Sequence, residues 1–444
     1  MKTRAKRIIL SLIFVALTGV SVCGLYKVLS WKDTSGDYFS SLAELKQLPR
    51  DTVDVVAIGS SKVYGSFDVS QLWEQEGIAS FNLSIAGMDQ KSAYYHLVEL
   101  LKTQSPKVVF IEGSILYTDY YLDQGNVYRN TIVMAPSKNN VLLINAVAED
   151  GNILDYVLRF PIVHSRYKEL QREDFTVSNI DNGRLGFIPG FDNIPQTDID
   201  VSILDNKELY EVNEKTVEWI ESLDKLSKAN GFNLVFYLAP QNIQKLHKMQ
   251  YNSACQTLDE YGILHIDFNE LRDEIGLNYA SDLSDALHCN DKGARKVMNY
   301  LCKYLIENYD FADNRGKEGY ERWDRNLAYI SHERIENDIA SLDIDLAYQK
   351  LLEMDNVLLI KVDTLSANAY LNGNTVYQAC GQSNEYSTKI NDNDYCYITS
   401  LFAEDKLGSI VYFGQTPYYL HDDNTTLYVA YDLIRDEVVF YKEF

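Results

Sequence analysis

The sequence predicts an α/β protein on a mainly parallel sheet, with an apolar helix before it and a small β-rich domain after it. Three observations carry this. Between residues 53 and 308, short apolar runs alternate with amphipathic helical patterns, the mark of βαβ units. Residues 8–26, IILSLIFVALTGVSVCGLY, form 19 positions without a charge, enough to cross a hydrocarbon core. Beyond residue 330 the pattern changes to a helix and then many short β-like runs.

The elements follow in order. Lys2, Arg4, Lys6 and Arg7 precede the apolar run, so the positive-inside rule keeps the N-terminus cytoplasmic and places the rest outside. An uncleaved signal anchor over 1–30 is expected. A cleaved signal peptide or a lipoprotein signal is the alternative, but no small-x-small site ends the run and a bulky valine precedes Cys23. VDVVAIG (53–59) reads as the first buried strand, IASFNLSI (78–85) as the second and KVVFIEG (107–113) as the third. Helices are expected near 69–75, with Asp68 as N-cap, and over 91–103.

The alternation then breaks. Residues 114–206 read as an insertion with a helical stretch near 140–159 and an irregular Gly/Pro part. A long insertion after the carboxyl end of a strand usually covers or shapes a site. The pattern resumes with a helix near 207–229, the strand 232–239, a helix near 241–260, the strand 263–268 and a closing helix over 291–309. This makes 31–309 one α/β domain, 310–330 a charged linker and 331–444 a β-rich domain opened by a helix near 332–353.

With 41 basic against 64 acidic side chains the net charge is −23, which argues against nonspecific nucleic-acid binding. Of six cysteines, Cys23 lies in the apolar run, and no Cys-x-x-Cys spacing suggests zinc. Cys380 and Cys396 are a candidate disulfide, and Cys255, Cys289 and Cys302 are expected in the core. Nucleotide-loop, dinucleotide, zinc-helix and G-x-S-x-G motifs are absent, so no metal or cofactor is expected.

What remains is a serine and a histidine. Ser61 follows the first strand, where the carboxyl edge of a parallel sheet opens into its ligand crevice. His288 precedes the closing helix, with Asp285 three residues earlier. Asp-x-x-His on one turn lets the carboxylate hold Nδ1 and leaves Nε2 for the serine, the arrangement an activated nucleophile needs. His164 and Arg166, in the insertion, are candidate substrate contacts. His265 is expected in the core, and His247, His332 and His421 in polar surroundings without partners.

Gly59-Ser60-Ser61 with Asp285-Ala-Leu-His288 and the following HCNDKGARKV resembles the SGNH hydrolase superfamily. The closer likeness is to its membrane-anchored branch, which includes the D-alanyl transfer protein and the alginate O-acetylation proteins. The resemblance implies a flavodoxin-like three-layer α/β sandwich. It also implies a Ser61–His288–Asp285 triad, with Ser60 in the place of the family's usual aspartate. FNLSIAGMDQ (81–90) is similar to the second family block, which implies an oxyanion hole from the N–H groups of Ser61 and Gly87. The third block carries no Asn, and Ser114 is the candidate substitute.

The family likeness implies acyl transfer or ester hydrolysis on a cell-surface polysaccharide, with a membrane-bound O-acyltransferase as a candidate partner. The alternative is a degenerate domain that binds glycan or scaffolds polysaccharide assembly. The last strands, through NTTLYVAYDLIRDEVVFYKEF, look similar to the interleukin-like EMT-inducer fold, which would imply a binding or packing module.

Overall fold

The computed structural model describes residues 2–30, 44–117, 124–148, 153–171, 173–176, 183–363, 366–380, 383–391, 394–403, 406–420 and 425–443. They form two compact units, Met1–Asn326 and Leu327–Phe444.

The first unit is built on five parallel strands, β1 (Val55–Gly59), β2 (Ser80–Ser84), β3 (Val108–Glu112), β4 (Asn233–Leu238) and β5 (Leu264–Asp267). Their order is β2-β1-β3-β4-β5, the flavodoxin-like winding, whose ligand crevice lies beyond the carboxyl ends of β1 and β3. VVAIG and VVFIE are buried at every position, so both faces of these strands are covered and their sequences are apolar except for Glu112. β5 is the exception. It forms the sheet edge, and His265, expected in the core, is partly exposed there beside Asp259.

Local chemistry sets the helices. Asp68 caps Val69–Glu76 by accepting from the N–H groups of Ser70 and Gln71 at 2.9 and 3.2 Å. Asn290 caps Asp291–Asn308 through Gly293 N–H at 3.1 Å. That helix buries Ala294, Val297, Met298, Leu301 and Leu305, one stripe at helical spacing. Two expected helices begin later than their patterns, at Glu214 and Lys245.

The insertion after β3 is mostly helical at first: Gln124–Ile132, Lys138–Val147, Ile153–Leu158, Phe160–Val163, a 3₁₀ turn His164–Lys168, and Glu173–Thr176. From Gly183 to Asp200 it runs without helix or strand. The helical stretch expected near 140–159 is occupied by the helices Lys138–Val147 and Ile153–Leu158.

Residues 310–326, read from charge and glycines as a linker, belong to the first unit. Trp323 is wholly buried, and its indole N–H donates to the Ser80 carbonyl at 2.8 Å. Trp73 and Tyr320 pack on its ring. The unit boundary falls inside the helix Glu321–Ala340.

The second unit pairs two antiparallel sheets. One holds β6 (Val357–Val362), β7 (Ser366–Leu371), β8 (Asn374–Cys380), β13 (Leu427–Asp432) and β14 (Glu437–Glu443) in the order β14-β13-β6-β7-β8. The other holds β9 (Ser383–Lys389), β10 (Tyr395–Ala403), β11 (Lys406–Phe413) and β12 (Thr416–Tyr419), in the order β12-β11-β10-β9. β6 shows why VLLIKV suits this place. Leu358, Ile360 and Val362 join the core with Ile398 and Val411, while Val357 and Leu359 join Ala347 and Leu351 of the helix Ile344–Glu353. Alternate residues serve opposite faces.

The helix expected near 332–353 is broken at 341–343, where Asp343 caps the second piece by accepting from Leu346 N–H at 3.1 Å. Cys396 is a free, wholly buried thiol, and the side chain of Cys380, its expected partner, lies outside the described residues. Cys396 fills the space between sheets as a small apolar residue.

Candidate active site

Ser61 opens the short helix Ser61–Tyr64 directly after β1. The chain can turn that sharply because of Gly59. Its φ is +156°, and a Cβ there would sit 2.8 Å from the Val63 side chain and 3.1 Å from Glu112 Cβ. The histidine comes from the loop before the closing helix. Leu283 and Cys289 bridge across that loop, and Ser284 N–H donates to the His288 carbonyl at 2.9 Å. The loop is thus a pinned hairpin rather than a free tether.

These two elements meet. Ser61 Oγ lies 2.8 Å from His288 Nε2. His288 Nδ1 lies 2.9 Å from both oxygens of Asp285. Asp285 Oδ1 also accepts from the N–H groups of Leu287 and His288, at 2.7 and 3.0 Å. Partial burial raises the Asp285 carboxyl, but these bonds outweigh it and hold the group below the usual carboxylate range. A carboxylate held ionised fixes Nδ1 as the protonated nitrogen and leaves Nε2 able to accept from the serine. Tyr64 stacks parallel to the imidazole at 6.4 Å.

Gly87 follows β2 with φ +69°. The N–H groups of Ser61 and Gly87 donate to no acceptor among the described residues. Ser114 goes elsewhere. It is wholly buried, and both its hydroxyl and its N–H bond the Glu112 carboxylate, so it presents nothing to an incoming ligand. Asn126 of the insertion stands over Gly87: a Cβ on that glycine would lie 2.7 Å from the Asn126 amide carbon. Arg129 holds the amide oxygen at 3.2 Å. No sequence signal marks Asn126, because it lies on a helix outside every motif.

Of the expected substrate contacts, Arg166 is placed against the N-terminal helix, and His164 lies beside Phe160 and Pro161. Arg166 donates to the Leu29 carbonyl at 2.8 Å and pairs with Asp174 at 3.1 Å. The His164 ring sits 2.5 Å from the Pro161 carbonyl. The guanidinium is thereby consumed in capping that helix.

The burial of Lys62 and the bonds of residues 183–196 were not read from sequence, and His247, expected without partners, has one. Lys62, next to Ser61, is only 5% exposed. Burial pulls its ammonium below the usual lysine range, against the upward pull of Glu112 and then Asp285. His247 is lowered by burial and by Lys62, and it stacks on Tyr117 with ring centres 4.9 Å apart. Finally, the irregular stretch 183–196 ties the loops together. Leu185 carbonyl accepts from Asn82 N–H at 3.1 Å, Ile188 N–H donates to Tyr64 carbonyl at 2.9 Å, and Gly190 carbonyl accepts from Asp291 N–H at 2.7 Å. This strap touches the β2 side, the serine helix and the histidine loop in turn.

A cavity of about 350 Å³ is lined by Tyr117, Tyr210, Asn213, Thr216 and Gln250. A larger one, about 520 Å³, lies along the edge strand β5 and shares no residue with the serine–histidine pair, so its size gives it no claim on the chemistry. In the second unit, His332, Glu336 and Asp432 bring possible ligand atoms within 4.8 Å of one another. His332 is partnered by Asp432 at 2.7 Å, and the Arg435 guanidinium already occupies Glu336. That makes the group an ion-pair network. His421 lies outside the described residues.

No protein-family profile matches the chain, and no curated protein does. Among solved structures, a candidate acylhydrolase from Bacteroides fragilis overlaps 62% of this chain and 98% of its own at 14% identity and a TM-score of 0.28. A gut microbial diltiazem-metabolizing enzyme overlaps 80% of this chain and 57% of its own, at 12% identity and a TM-score of 0.20. Overlaps this loose define neither fold nor chemistry, and the functional reading stands on the site's own geometry.

Proposed function

We propose that the chain is a membrane-anchored serine acyl-transfer enzyme of the SGNH type, acting on acyl esters of a cell-surface polysaccharide. The observation that carries this is the continuous Ser61–His288–Asp285 chain, at 2.8 and 2.9 Å, on the carboxyl edge of a parallel sheet. The serine and the Asp–His pair are some 220 residues apart in sequence, and a turn serine and a structural histidine have no reason of their own to meet so.

Ser61 Oγ bonds to the ester carbonyl carbon as its proton passes to His288 Nε2. The carbonyl oxygen becomes an oxyanion beside the N–H groups of Ser61 and Gly87, with the Asn126 side chain packed over Gly87. The carbon–oxygen bond to the leaving alcohol breaks, and that oxygen takes the proton back from His288. Water, or a sugar hydroxyl, then adds to the acyl-serine while giving its proton to Nε2, and Ser61 is released with that proton. Oxyanion donors of this kind are each worth roughly 10²–10³ in turnover. A membrane-bound O-acyltransferase as donor of the acyl group rests on family resemblance only.

The test is labelling of the full chain by a fluorophosphonate probe together with hydrolysis of a nitrophenyl acetate ester. Wild type is expected to label and turn over. Ser61→Ala is expected to lose labelling, and both it and His288→Ala to lose at least about 10³-fold in kcat/KM. A correctly folded wild type that neither labels nor turns over would sink the enzyme and leave the scaffold reading. Adding oligosaccharide acceptors and weighing the products separates transfer from hydrolysis.

A further inference from the structure

The N-terminal helix, Lys2–Leu29, changes character near its end. Its side chains are exposed from Lys6 to Leu25, whereas Tyr26 and Val28 are partly covered and Leu29 is buried. The uncharged apolar run Ile8–Tyr26 has 19 residues, about 28 Å of helix at 1.5 Å per residue, close to the ~30 Å of a hydrocarbon core. The last turn docks into the insertion. Leu29 and Tyr26 share a cluster with Tyr156, Val163 and Phe160, and Arg166 caps the Leu29 carbonyl.

Packing at that turn fixes a depth. The helix Phe160–Val163, the turn His164–Lys168 and the helix Glu173–Thr176 all touch the N-terminal helix, and Ile153–Leu158 packs on Phe160–Val163. If the apolar run spans a bilayer, whatever touches its final turn lies at the bilayer surface. These same elements carry large apolar side chains turned outward: Leu154 is 70% exposed, Leu158 64% and Phe175 67%. Tyr167 is also exposed, with the Lys168 ammonium 5.6 Å from its ring centre, a pairing suited to the headgroup layer. Residues 124–176 hold six basic and six acidic side chains in a protein of net charge −23, so this part alone is not repelled by an anionic leaflet.

We propose that this helical insertion is a lipid-binding surface, seated in the outer-leaflet interface with Leu154, Leu158 and Phe175 against acyl chains. The proposal rests on the reading of the N-terminal helix as a membrane span. Its consequence is positional. The same insertion reaches Gly87 through Asn126, so one rigid body would hold the candidate active site at a set height above the bilayer.

The experiment uses the full chain in phosphatidylcholine–phosphatidylglycerol nanodiscs, with and without lipids brominated near the glycerol end. Single tryptophans are introduced as Leu158→Trp and Phe175→Trp, with Phe14→Trp in the apolar run and Leu264→Trp on β5 as references. Fluorescence is read as the difference from wild type. Expected is bromine quenching at 158 and 175 of at least half that at 14, with little at 264. Quenching at 158 and 175 no greater than at 264, while 14 is quenched, overturns the lipid surface and leaves the patch to water or a protein. If 14 is not quenched either, the span itself fails, and the proposal with it. A circular-dichroism spectrum and a urea midpoint matching wild type show that each variant is folded.

Discussion

Lys62 and Glu112 are the costliest residues near the candidate nucleophile. Glu112 is wholly buried at the end of β3, and burial pushes its carboxyl up against the opposing pull of Lys62 and Ser114. Lys62 is pulled down by burial and held up by Glu112. Neither is in direct ion-pair contact with the other, so each compensates the other's burial through a low-dielectric gap. A double-mutant cycle tests this. Lys62→Met and Glu112→Gln should each lower unfolding stability in urea, and the double variant should lose about 1–3 kcal/mol less than their sum. Strict additivity would show the two charges are independent. At this scale the sequence was informative only where chemistry is written as a motif. Ser61, Asp285 and His288 stand in short patterns that name their own neighbours. Lys62, Asn126 and His247 do not, because what makes them notable is burial and a contact across the fold.

Elements were legible where one physical period governed them. VVAIG, VVFIE and the stripe of Asp291–Asn308 follow from apolar spacing, and their bounds moved by only a residue or two. The strap 183–196 has no period to read, since its backbone bonds go to β2, the serine helix and the histidine loop in turn. His265 was misplaced because a strand's sequence does not say that it will form the sheet edge. His96, by contrast, sits inside the helix Gln90–Leu100, wholly buried, with Nε2 2.8 Å from the Asn130 carbonyl of the insertion. Burial pulls its imidazole down to about 4. The folded pKa is below the unfolded one of about 6.5, so the stabilising effect is complete above that value. It is lost as pH falls from about 6.5 towards 4, by up to about 3 kcal/mol. Urea unfolding at pH 7 and at pH 4.5 should therefore show a steeper acid loss in wild type than in His96→Gln. Equal losses in the two would mean that the imidazole is not kept neutral by the joint between helix and insertion.

For the whole molecule, the change of composition near residue 330 lies close to the start of the second unit at Leu327, but charge and glycine ended the first unit too early, at 309 rather than Asn326. The segment 310–326 is polar along most of its length and hides a single large anchor. Trp323 is wholly buried, bonds the Ser80 carbonyl of β2 and packs on Trp73 and Tyr320. One indole outweighs a run of charges, because burying an aromatic side chain is worth several kcal/mol whereas solvated charges beside it cost nothing. Trp323→Ala should therefore cost the first unit about 3–5 kcal/mol, and Trp323→Phe, which mainly loses the N–H bond, about 1 kcal/mol. Hydrogen exchange of the full chain gives the readout. Amides of β2 should exchange faster in Trp323→Ala, graded between wild type and that variant in Trp323→Phe, while those of β10 and β11 in the second unit stay unchanged. Unaltered protection of β2 in Trp323→Ala would return 310–326 to the status of a linker. Loss of protection in both units would mean that they do not unfold as separate bodies.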